Sequence, residues 1–186
     1  MGRAEDMAQI KLAIETKMTS TAPTIVLRFV RSKGFTSAAI VFREQTCMPF
    51  TPSHVECVTP EGMWLGQHSD GGMQARKAGY DHGEVAIMND GRRCELFVEL
   101  PCTQERYNAF YAKAMASIGE PYDWKAILGF AVSWHEHDKF RAICSAKMLL
   151  LLRACDYFQW PVVVPAHLVD PRDLLLMLST HVKIDH

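Results

Sequence analysis

Apolar and polar positions divide the chain into a strand-rich first part and a helix-rich second part. Met7, Ile10, Leu12, Ala13 and Met18 recur at loosely helical spacing, and Pro23 stops that weak leading helix before the β-rich run "TIVLRFV". "FTSAAIVFREQ" then predicts a short helix, with Thr36 or Ser37 as its cap and Glu44 near its far end. "FTPSHVECVTPEGMWLGQHSDGG", Phe50 to Gly72, predicts a β-hairpin whose turn is "TPEG": Pro60 presets φ and Gly62 supplies the positive φ that closes the loop. "GEVAIMNDGRRCELFVEL" predicts a second hairpin around Asn89, Asp90 and Gly91 that extends the sheet.

From Thr103 the period changes. Tyr107, Phe110, Tyr111, Ala114 and Met115 form a core-facing helical stripe, with Thr103 as N-cap and Gly119 plus Pro121 as the stop. A short helix is expected at "DWKAILGFAVS", a polar stretch at "WHEHDK", an apolar helix through Leu152, and a last helix at "VDPRDLLLMLS" with Asp170 as cap and Pro171 at its first position. Strands segregated from helices, without βαβ alternation, define an α+β class: an antiparallel sheet packed with helices. Residues 1–23 read as an extension and residues 24–186 as one domain, for which 186 residues are ample.

Composition narrows the function classes. Hydrophobic residues at 48% and charged residues at 22% describe an ordinary folded chain. Lys+Arg 20 against Asp+Glu 21 leaves no positive field for nucleic acid. The most apolar run, "MLLLLRAC", is broken by Arg153 and is far shorter than the ~20 residues of a membrane span. No signal peptide is readable in the charged N-terminus, and the six cysteines include no C-x-x-C pair, so reduced thiols and a cytoplasmic location are expected.

Three groups of residues carry candidate chemistry. Cys144 in "FRAICSAKMLLLL" stands at the start of an apolar helix, where unpaired amides stabilise a thiolate; with Asp138 as the cap it falls in the second turn, where that effect fades. A thiolate nucleophile needs a base and a group to orient that base. The hairpin offers both: pairing Thr59 with Met63 and counting outward sets His54 opposite His68, a loop longer or shorter by one residue substitutes Gln67, and Glu56 shares the face of His54. His68, beside Ser69, Asp70 and two glycines, also fits an exposed loop. His135, His137 and Cys144 are zinc-type residues, but two imidazoles two apart diverge on a helix and no H-E-x-x-H pattern is present, so no metal or cofactor is expected.

His54 in "SHVE", the return strand "MWLGQ", then "GEPYDW" and "ICSAKML" in that order resemble the circularly permuted papain-like superfamily, the permuted NlpC-type cysteine hydrolases. The resemblance covers residues 24 to 178. It implies a permuted papain-like fold, Cys144 as nucleophile, His54 as general base, a residue of the return strand as the orienting group, and Tyr122 lining the pocket near the oxyanion. It also implies a peptide or acyl substrate and suggests a phage or prophage origin. The alternative is a non-enzymatic binding or structural module that keeps the shape around an idle site.

Overall fold

The computed structural model describes residues 22–33, 51–81, 83–88, 91–122, 144–158 and 164–179. The helices expected at residues 5–19, 35–45 and 123–133, the "WHEHDK" stretch and any cap at Asp138 or near Arg141 lie outside those residues. Within them the chain is α+β. Five strands, β1 (Thr24–Val30), β2 (His54–Val58), β3 (Met63–His68), β4 (Gly72–Lys77) and β5 (Glu95–Pro101), form one sheet in the order β4-β3-β2-β1-β5. Every neighbouring pair is antiparallel. Three α-helices follow: α1 (Gln104–Ala116), α2 (Cys144–Ala154) and α3 (Pro171–Leu178), with a 3-10 turn at Ala166–Leu168.

Side chains alternate across the sheet, and its two faces differ in kind. Ile25, Leu27 and Phe29 of β1, Val55 and Cys57 of β2, Leu65 of β3, Met73 of β4 and Val98 and Leu100 of β5 make the apolar face. Phe110, Tyr111 and Ala114 of α1, Met148, Leu149, Leu151 and Leu152 of α2, and Leu174, Leu175 and Leu178 of α3 close over it as one core. The helix ends follow local chemistry. The Thr103 hydroxyl accepts from the Arg106 amide and the Asp170 carboxylate from the Asp173 amide, with Pro171 in the first turn of α3.

The second expected hairpin takes a different form. Its second run becomes β5, which pairs along its whole length with β1, whereas its first run contributes only isolated bridges, Ser32 with Val85 and Ile87 with Arg93. An apolar strand as long as β1 offers β5 a full ladder and a buried face, which the shorter run cannot match. The sheet also gains β4, in a stretch to which no element was assigned: Gly72 has a φ of +77° and turns the chain back along β3. A Cβ at Gly72 would lie 2.0 Å from the Glu120 carbonyl oxygen, so that close approach requires glycine.

The segment after α1 is strapped to this end of the sheet. The Met73 amide donates to the Glu120 carbonyl at 2.8 Å and the Gly119 amide to the Met73 carbonyl at 2.9 Å. Lys147 of α2 reaches the Glu120 carboxylate at 2.5 Å, and the Ser145 hydroxyl donates to the Val169 carbonyl at 2.7 Å. Both contacts fix the first turn of α2, the turn that begins with Cys144, against its neighbours.

Candidate active site

The polar face of the sheet is the face of Arg28 in β1, His54 and Glu56 in β2, and Trp64, Gly66 and His68 in β3. The β2–β3 register pairs Val58 with Trp64, Cys57 with Leu65 and Glu56 with Gly66. Carried outward, it sets His54 level with His68, whose ring centroids lie 5.1 Å apart. His68 is only 6% exposed, so the alternative of an exposed loop is overturned. By pairing His68 with Gly72, β4 carries β3 to its full length, and the rings of His54 and Tyr80 lie against the imidazole at 5.1 and 5.4 Å between centroids.

Glu56 is fully buried beneath these two rings, and each of its oxygens has a separate task. Oε1 accepts from Arg28 Nη1 at 2.5 Å. Oε2 stands 3.7 Å from His54 Nε2 and 3.8 Å from His68 Nε2, and the Tyr80 hydroxyl approaches it at 3.5 Å. Gly66, directly across the ladder, makes this possible: a Cβ there would sit 2.7 Å from the Glu56 Cβ and 3.5 Å from His54 Nε2. Gly66→Ala is therefore expected to displace Glu56 and His54 together and to cost about 1–3 kcal/mol of stability. Urea denaturation measures the cost, and an unchanged midpoint would contradict this packing.

Arg28 is the hub that keeps Glu56 ionised inside the protein. Besides Glu56 it holds Asp81 through both terminal nitrogens, at 2.9 and 3.2 Å, and Glu95 through Nε at 3.0 Å. The Trp64 ring covers its guanidinium at 3.8 Å, and Arg93 adds a second cation beside Asp81 and Glu95. A charge buried this deeply is tolerated only when paired and hydrogen-bonded on all sides. Although burial opposes it, the attraction of His54 and Arg28 holds the Glu56 carboxyl below the usual range.

Cys144 closes the arrangement from the other side. Helix α2 packs against β2 and β3, and Cys144, 2% exposed, is the first residue of its described span. Burial alone would lower the His54 pKa. The electrostatic influence of Cys144, with Glu56 adding to it, outweighs burial, and the pKa rises to about 10. His68 goes the opposite way: burial, then the charges of His54 and Arg76, push it down to about 3, so it stays neutral where His54 is charged. Two imidazoles on one strand pair thus hold different protonation states.

The remaining candidates have other positions. Gln67 projects from the opposite face of β3, and its amide nitrogen donates to the Pro121 carbonyl at 2.6 Å and the Glu120 carbonyl at 3.3 Å. It holds the strap that leads to Tyr122, which is buried. His135 and His137 lie outside the described residues. Arg28, Tyr80 and Asp81 are site residues that sequence reasoning did not single out. The available signal was a lone arginine inside "TIVLRFV", a charge in the middle of an otherwise apolar strand.

Among the described residues no helix is long and apolar enough to cross a membrane. No protein-family model, curated protein or solved structure matches the chain.

Proposed function

We propose that this chain is a thiol-dependent hydrolase or acyltransferase of the circularly permuted papain-like, NlpC-type kind, acting on an amide or ester. The observation that carries the reading is the position of His54, whose pKa Cys144 raises and which the buried carboxylate of Glu56 flanks at 3.7 Å. A nucleophile, a base and an orienting acid in that sequence of contacts are the parts of thiol catalysis.

The steps follow from those roles. His54 holds the proton of the Cys144 thiol as an imidazolium, in keeping with its raised pKa, and the sulfur attacks the carbonyl carbon. The imidazolium, stabilised by Glu56, gives that proton to the departing amine or alcohol. Water, or an acyl acceptor, then gives its proton to His54 and displaces the sulfur, which regenerates the thiolate. Glu56 is the better orienting group than His68, because a neutral imidazole cannot match a carboxylate in stabilising the charge that develops on His54. Gln67 is occupied with the carbonyls of Glu120 and Pro121 and so supports Tyr122, the pocket residue in this reading. Cell-wall-type peptides are the first substrate class and lipid acyl groups the second.

A binding or structural module with an idle site is the second reading, favoured by the 2% exposure of Cys144. Turnover on a panel of peptides and acyl esters separates the two. Activity abolished in both Cys144→Ala and His54→Ala supports the hydrolase, and full activity retained by both would overturn it. A panel on which the native chain turns over nothing, with a Cys144 that iodoacetamide never labels, supports the module.

A further inference from the structure

His54 Nε2 and His68 Nε2 are both buried, and among the described residues neither has a hydrogen-bond partner. Leaving such an atom unsatisfied costs about 1–3 kcal/mol. Here two of them converge on the same carboxylate oxygen, Glu56 Oε2, at 3.7 and 3.8 Å, too far to bond to it. Ligand atoms of these three side chains all lie within 4.8 Å of one another. Around a zinc ion with bonds of about 2.0–2.1 Å, neighbouring ligand atoms stand about 3.3–3.6 Å apart, so the two nitrogen–oxygen separations need to close by a few tenths of an ångström and the remaining separation by up to about 1.5 Å.

We propose that His54, Glu56 and His68 form a three-ligand site for a divalent transition-metal ion of the zinc class, and that occupancy silences Cys144 by withdrawing its imidazole.

Two imidazoles and one carboxylate suit zinc, whereas magnesium and calcium favour oxygen donors throughout. The outer contacts are those a metal site needs. Tyr80 lies 3.4 Å from His68 Nδ1, on the far side of the ring from the ligand nitrogen, and Arg28 fixes the other oxygen of Glu56. The surroundings also favour a cation: three carboxylates, Glu56, Asp81 and Glu95, face the two guanidiniums of Arg28 and Arg93. His54, whose side chain is 16% exposed, gives the ion a way in.

The silencing half of the proposal rests on the hydrolase reading; the binding half does not. The test titrates the metal-free chain with Zn²⁺ against a chromophoric chelator, in native, His68→Gln, His54→Gln and Cys144→Ala forms, with circular dichroism to check each fold. One equivalent of zinc should bind to the native and Cys144→Ala chains, and the two histidine variants should bind at least about tenfold more weakly. Zinc should also slow iodoacetamide labelling of Cys144 in the native chain, EDTA should restore it, and His68→Gln should label at the same rate with and without zinc. Absence of stoichiometric binding, or equal affinity in native and folded His68→Gln chains, overturns the site. Binding without any change in Cys144 labelling overturns the silencing and leaves the site. Loss of catalysis in Cys144→Ala with zinc affinity intact separates this inference from the hydrolase reading.

Discussion

The His54→Ala chain is expected to turn over substrate about 10²–10⁴-fold more slowly than the native chain, the usual contribution of a positioned general base. The same substitution should change how stability depends on pH. In the folded chain the His54 pKa is raised to about 10, against about 6.5 when unfolded. Its protonated form therefore contributes stability that is fully present below about pH 6.5 and is lost as pH rises through about 10. His68 acts in reverse. With a folded pKa of about 3, it refuses a proton that the unfolded chain accepts, so stability falls as pH drops from about 6.5 toward 3. Thermal melts of the native chain should show stability declining on both sides of neutrality. In His54→Ala the part of the alkaline decline that His54 causes should vanish, and an unchanged alkaline limb would show that His54 is not charged in the fold.

Arg28→Met should lower stability by about 3–5 kcal/mol, the usual consequence of removing one member of a buried ion pair. The loss comes from what remains: Glu56, Asp81 and Glu95 keep their negative charges, with Arg93 and, beside Glu56, His54 left to offset them. Methionine fills much of the space under Trp64, so a cavity is a minor part of the effect. Protonating the stranded carboxylates relieves them, which makes the deficit smaller at pH 4.5 than at pH 8. Urea unfolding of both chains at the two pH values measures it. A deficit equal at both would point to packing as the cause and would remove Arg28 from the electrostatics of the site.

Sequence patterning reached the parts of this fold that rest on local rules. The turn at Pro60 to Gly62 fixed the register that makes His54 level with His68, and Thr103, Asp170 and Pro171 cap their helices because capping depends on residues three positions away. Strand β4 was harder to read. In "GMQARK" Met73 is the one large apolar side chain that is buried, Ala75 is exposed, and the arginine and lysine typical of an edge strand resemble a solvated loop. The ionic hub was less visible still. Arg28 finds Glu56, Asp81 and Glu95 at sequence separations of 28, 53 and 67, and no local pattern announces partners so distant. A carboxylate such as Glu56, shared among an arginine and two imidazoles, becomes recognisable only when three strands are side by side.

Strapping the first turn of α2 to Glu120 and Val169 also bears on how the protein comes into being. A ribosome delivers all five strands before it delivers α2, so among the described helices α1 alone has emerged by then to shelter the oily side of those strands. The imidazole is made early and the sulfur late, which keeps the two apart until the last third of the polypeptide has emerged and docked.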